Sequence, residues 1–143
     1  MTKKPMTKAA LAKAIIRAMK RADRWFGKYI VLKEKKCIIC KSEENGQCSH
    51  YYGKRACPSI RYDENNAHRM CSACHLRHHK IDNHVYDNWM RRHYSSTELD
   101  LLEALSQRYE PSTATLEYYG NIEARYKELV KKMEAKNAKD FTD

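Results

Sequence analysis

Cys37 to Lys80 reads CIICKSEENGQCSHYYGKRACPSIRYDENNAHRMCSACHLRHHK. Two C-x-x-C pairs, Cys37/Cys40 and Cys71/Cys74, bracket a segment that carries Ser49-His50, and His75 follows the second pair directly. Paired thiolates at this spacing suit one tetrahedral Zn²⁺, each pair forming a knuckle and the loop between them closing on the metal. Gln47 to Tyr52 is expected to be a strand. Gly53 to Ser59 is a loop returning through a second strand at Ile60 to Tyr62, and Asp63 to Asn66 is a turn. A helix is expected to start near Cys74. Knuckle, β-hairpin, then knuckle on a helix start is the treble-clef arrangement.

Outward from this stretch, Thr7 can cap a helix running to about Arg24, with Leu11, Ile15, Ala18 or Met19, and Ala22 at helical spacing. Gly27 is the expected stop, and Trp25-Phe26 is expected to pack that helix onto the finger. Residues 28–36 hold an apolar run, Tyr29 to Leu32, expected to be extended. On the C-terminal side a break is expected near Asp82-Asn83, followed by a helix from His84 to His93. Ser95 with Glu98 forms a capping box opening a helix that reaches Tyr109. Pro111 interrupts, and a last helix spans about Thr113 to Lys136. The fold class is α+β, mostly helical. Its parts are a basic N-terminal helical arm (1–36), a zinc-bound core (37–94) and a C-terminal helical region (95–143).

The chain has 143 residues and a formal charge of +10. Residues 1–36 carry twelve Lys/Arg against two acids, and residues 37–143 carry sixteen against sixteen, so the excess lies in the arm. A concentrated basic arm fits a polyanion, most simply nucleic acid. Mean hydropathy is −0.87, and no run of about 18 apolar residues is present, which argues against a membrane span. The basic N-terminus lacks an uninterrupted apolar core and a small-residue cleavage site, so no secretory leader is expected. Six cysteines in C-x-x-C pairs of a lysine-rich chain favour metal thiolates in a reducing compartment over disulfides.

His50 lies between the knuckles, and a neutral imidazole there is a competent base near pH 7. His75 and His79, four apart at a helix start, share a face and can hold a divalent cation against a phosphate oxygen. One base for water and one cation for developing charge suit phosphodiester hydrolysis. Lys54, Arg55, Arg61 and Arg77 are candidate DNA contacts, with Arg55 and Arg61 placed to clamp the scissile phosphate.

The string His50…Asn66…Cys71-x-x-Cys74-His75 resembles the HNH, or His-Me finger, nuclease pattern. A more local resemblance is to the NinG/Rap recombination proteins of lambdoid phages. It rests on Ser49-His50-Tyr51, Cys57-Pro58, Arg61-Tyr62-Asp63, Asn66, His68, Cys71 and Cys74, and covers residues 37–95 best. The resemblance implies a ββα-metal nuclease core with His50 as general base, Asn66 bracing the loop, and His75 on a catalytic Mg²⁺ or Mn²⁺. It implies an endonuclease acting on branched DNA such as Holliday junctions, in the cytoplasm of a bacterial host. Where many HNH enzymes have Asp or His before the base, this chain has Ser49. His79, with His78 as rival, can replace that ligand, as in the His-x-x-x-His arrangement of nuclease colicins. A four-way substrate favours a homodimer through the C-terminal helices, around Leu102, Leu105, Tyr109, Tyr119, Tyr126 and Met133. Two other classes fit the sequence: a non-catalytic zinc DNA-binding or adaptor module, and an HNH nuclease with a nicking or restriction-like role.

Overall fold

Helix α1 (Lys8–Glu34) begins at Thr7, whose Oγ1 accepts from the Ala10 amide at 3.1 Å. Its buried residues Ala18, Ala22, Phe26 and Ile30 recur every fourth position, so one stripe carries the helix past both expected boundaries. Gly27 does not stop it, and residues 28–34 are helical rather than extended. A Cβ on Gly27 would lie 3.4 Å from the Cβ of Cys48, so the helix passes against the strand at this point. The stop comes at Lys35, in the left-handed region at φ 62°.

The computed structural model describes residues 2–108 and 115–142. The helix expected to reach Tyr109 ends earlier, at Ser106 with Gln107 as its cap; the Pro111 interruption and the Thr113 start lie outside the described residues. The chain divides into two compact units, one of residues up to 26 and from 115 on, the other of residues 27–108.

In the first unit, α5 (Leu116–Thr142) buries Tyr119, Tyr126 and Val130. Phe26 meets Tyr126 edge-on at 5.0 Å between ring centroids, and Lys127 Nζ lies 5.6 Å from the Trp25 ring. The aromatic pair of α1 therefore packs on α5. Tyr119 and Tyr126, considered above as dimer contacts, are covered within this single chain.

In the second unit, β1 (Gln47–His50) pairs antiparallel with β2 (Ala67–Met70), with Gln47 opposite Met70, Ser49 opposite His68 and His50 opposite Ala67. The return strand thus lies later than expected. Residues Ile60 to Tyr62 instead fall in and beside a 3-10 turn opened by Pro58, and a second such turn, Glu64–Asn66, is capped by the Asp63 carboxylate. Proline lacks a ladder N–H and favours a turn start, and Asp63 supplies the turn's missing acceptor at 2.9 Å. The first strand ends at His50 because the backbone of Tyr52 bonds the Asn66 side chain instead of a partner strand.

Helices α2 (Ser72–Lys80), α3 (His84–His93) and α4 (Ser96–Ser106) follow, with the break near residues 82–83 where the sequence placed it. The Ser95–Glu98 capping box is present in both directions. Cys37, Ile38, Met70 and Cys71 share one buried cluster with Tyr86, Met90 and Leu102, so the knuckles belong to the core that holds α3 and α4. Arg69 fastens the hairpin, donating to Val31 O at 2.9 Å and Glu43 O at 2.7 Å. A Cβ on Gly46 would come within 2.5 Å of that pinned guanidinium, which explains a glycine there without any unusual φ. Among the described residues the architecture is mostly helical α+β with one two-stranded sheet. No helix among the described residues is long and apolar enough to cross a membrane.

Candidate metal centre and histidine cleft

The Sγ atoms of Cys37, Cys40, Cys71 and Cys74 all lie within 4.8 Å of one another, and Cys40 to Cys71 is 3.6 Å. A tetrahedron with Zn–S bonds of about 2.3 Å has edges of about 3.8 Å, so the four thiols fit a zinc ion. Burial pushes the Cys37 thiol up, but the backbone amides of Cys40, Cys71 and Ile39 outweigh it and bring it down to about 7. Burial and the neighbouring thiols push Cys74 the other way. Four thiols this close cannot all ionise unless a cation neutralises them. Cys71 also caps α2, its sulfur accepting from the Cys74 amide at 3.4 Å.

Cys48 and Cys57 lie outside this cluster. His68 is buried, with Nδ1 on the Glu34 carboxylate at 2.5 Å and Nε2 3.0 Å from the Tyr94 hydroxyl. It is a packing residue that ties the end of α1 to the hairpin.

His50 closes β1, and its Nε2 is 2.8 Å from the carbonyl of Arg61. A carbonyl only accepts, so Nε2 carries the hydrogen and the basic lone pair belongs to Nδ1. The ring lines a cleft of about 430 Å³ with Tyr51, Gly53, His78, His79 and Lys80. Asn66 is fully buried. Its Oδ1 accepts from Tyr52 N at 2.8 Å, its Nδ2 donates to Tyr52 O and Ile60 O, and its own carbonyl accepts from Tyr51 N. One side chain thus joins the two ends of the loop from Tyr51 to Asn66.

Helix phase separates the two rival histidines. His79 turns toward His75, with their Nε2 atoms 2.6 Å apart. His78 turns to the strand, where its Nε2 donates to His50 O at 3.3 Å and its ring meets Tyr86 edge-on at 4.8 Å. Two nitrogens on one cation at about 2.1 Å stand roughly 3.0–3.4 Å apart, so His75 and His79 need only a small opening to share an ion. Burial, then the charges of His79, His78 and His50, pull His75 down to about 4, so it is neutral at physiological pH. Burial also lowers His78, against the opposing bond to His50 O.

The cationic candidates separate. Lys54 and Arg55 are exposed in the turn beside the cleft, and Arg77 is exposed on α2. Arg61 is buried, with Nη1 3.5 Å from Lys54 O, a position that supports the loop backbone.

The family model described as bacteriophage lambda NinG protein matches residues 2–136. The chain belongs to this family. The match extends past the hairpin that carried the sequence resemblance and takes in both long helices, α1 and most of α5, so the NinG unit includes the basic arm. No curated protein and no solved structure matches the chain.

Three residues of the site carried no signal in the sequence. Tyr86, buried, donates to Ser49 O at 2.9 Å and fixes the strand beside His50. Arg69 fixes the hairpin to α1. Gln47 bonds His75 Nδ1 at 2.8 Å. Each acts through a partner far away in sequence, and only His50 and the His75/His79 pair pointed to the neighbourhood.

Proposed function

We propose that this chain is a metal-dependent DNA endonuclease acting on branched recombination intermediates such as Holliday junctions. The observation that carries the reading is the His50 ring, oriented by the Arg61 carbonyl so that Nδ1 is its basic atom and set in the wall of a cleft shared with His79. On this reading the hairpin and α2 form a treble-clef, ββα-metal core.

In the proposed reaction His50 Nδ1 removes a proton from water as the water oxygen bonds to phosphorus. The P–O bond to the leaving sugar oxygen breaks, and that oxygen takes a proton from solvent. Asn66 keeps the loop between Tyr52 and Ile60 closed, which holds Arg61 O against the base. Gly53 and the exposed Lys54 and Arg55 leave room and positive charge for a phosphate backbone. A Mg²⁺ or Mn²⁺ held by His75 and His79 would supply charge neutralisation at the phosphorane and the leaving oxygen.

Purified protein is incubated with labelled linear, forked and four-way DNA, with Mg²⁺ or Mn²⁺ and with EDTA. Cation-dependent cleavage favouring the branched forms is expected. His50→Ala should lower the rate by about 10²–10⁴ while zinc content and DNA affinity stay unchanged. Cutting by His50→Ala at the wild-type rate would remove His50 as base. Wild-type protein that binds but never cuts branched DNA would leave a zinc-stabilised DNA-binding module.

A further inference from the structure

Gln47 opens β1 and is exposed, and its backbone lies opposite Met70. Its side chain crosses to the first turn of α2, where Oε1 is 2.8 Å from His75 Nδ1. The backbone of His75 is itself anchored, its amide donating to Cys71 O at 2.9 Å. A ring nitrogen that faces an amide oxygen carries its hydrogen, so the lone pair of His75 lies on Nε2. That Nε2 is the atom 2.6 Å from His79 Nε2.

We propose that Gln47 is a positioning residue that fixes His75 in the tautomer and ring orientation needed to hold a divalent cation together with His79. The inference rests on the cation site proposed above and adds the group that prepares it. Imidazoles that bind metal through one nitrogen donate the other N–H to an oxygen, and losing that acceptor costs about 10–100-fold in metal affinity. Gln47 supplies the oxygen from the strand that ends in His50, three residues on. The base and the cation ligand are therefore indexed to the same strand. The reversed amide would point N–H at Nδ1, move the ring hydrogen to Nε2 and close the ligand lone pair. Glutamate at this position is an acceptor only, so it separates the two arrangements.

The test uses the zinc-loaded full chain as wild type, Gln47→Glu and Gln47→Leu. The Gln47 side chain is exposed, and metal analysis should return one structural zinc per chain in all three. Nitrogen-15 NMR of the His75 ring before any Mn²⁺ is added should give the Nδ1–H tautomer in wild type and Gln47→Glu, and a mixture in Gln47→Leu. Mn²⁺ titration followed by EPR should give equal or tighter binding for Gln47→Glu and about 10–100-fold weaker binding for Gln47→Leu. An Nε2–H tautomer in wild type, a Gln47→Leu affinity equal to wild type, or a Gln47→Glu as weak as Gln47→Leu would each overturn the proposal. Wild-type protein that binds no Mn²⁺ overturns the cation site itself, and the tautomer measurement then tells which of the two readings failed.

Discussion

Replacing Cys71 by serine tests the zinc cluster with little else disturbed. Cys71 is buried and plays two parts, as one of the four converging thiols and as the cap whose sulfur accepts from the Cys74 amide. Serine is a strong N-cap of similar size, so the cap survives and the loss reports the metal. Structural zinc binding contributes about 10–16 kcal/mol at neutral pH. Shared over four ligands, that is roughly 2.5–4 kcal/mol for one thiolate, or about two to three orders of magnitude in affinity. A domain stable by roughly 5–15 kcal/mol does not absorb such a change unnoticed. Because Cys37 and Cys71 sit in one cluster with Tyr86, Met90 and Leu102, the damage should reach α3 and α4 and not stop at the knuckles.

The assay combines metal analysis, a competitive zinc chelator and thermal unfolding followed through Trp89, which packs against that cluster. Wild type should carry about one zinc per chain. Cys71→Ser should surrender it to a chelator at concentrations two to three orders of magnitude lower and should melt earlier. Cys57→Ser, outside the thiol cluster but packed on the same core, should keep its zinc against the chelator as wild type does. A Cys71→Ser protein with unchanged zinc and unchanged melting would refute the assignment, as would a folded, zinc-free wild type with Cys37 and Cys74 in a disulfide.

The other predictions concern charge and pH. Lys13, Arg17, Lys20 and Arg24 are all exposed on α1, on the side away from Ala18 and Ala22. Changing these four to Gln should weaken binding to every DNA shape and flatten the salt dependence by roughly 0.9 for each phosphate no longer neutralised. The relative preference for branched DNA should survive, since phosphate contacts position without specifying; an unchanged salt slope would remove α1 from the interface. Folded His75 takes up its proton only near pH 4, against 6.5 for its ordinary value, so between those values the unfolded chain binds more protons. Stability should therefore fall as pH drops from about 6.5 toward 4, and His75→Asn should flatten that part of the melting profile. An identical profile for wild type and His75→Asn would mean that His75 titrates normally.

The cysteine cluster was legible because each C-x-x-C pair brings two thiols together locally, and four such thiols suit one tetrahedral ion. The Ser95–Glu98 box and the break at residues 82–83 were legible for the same reason, each being an interaction between residues a few positions apart. Gly27 misled because the signal that overrides it is tertiary. A glycine after an aromatic pair reads as a helix stop, whereas here the buried stripe of Ala22, Phe26 and Ile30 carries the helix past it. Tyr29 to Leu32 misled as a short apolar run, although Ile30 continues the stripe of Ala22 and Phe26 and tertiary burial decided the matter. The return strand was misplaced because Ile60, Arg61 and Tyr62 are buried in and beside a turn and not in a ladder. The choice between His78 and His79 depends on where α2 begins, and that is set by a sulfur cap no periodicity reveals.

Helix α2 links the four-thiol cluster to the histidine cleft. Its first residues carry Cys71 as cap and Cys74 as ligand, so a zinc bound by the four thiols fixes both the start and the phase of the helix. From that origin the positions of His75, His78 and His79 follow from helical pitch alone. Two of them reach back to β1, where His78 meets His50 O and His75 meets Gln47. Tyr86 of α3 holds Ser49 O on the same strand. A rotation of α2 by one residue, about 100°, would exchange His78 for His79 at the strand and separate the two Nε2 atoms. Under the proposed function, zinc far from the scissile bond would still govern the rate through that phase. A chain holding less zinc should therefore lose Mn²⁺ affinity in step with zinc content, before it loses its helices.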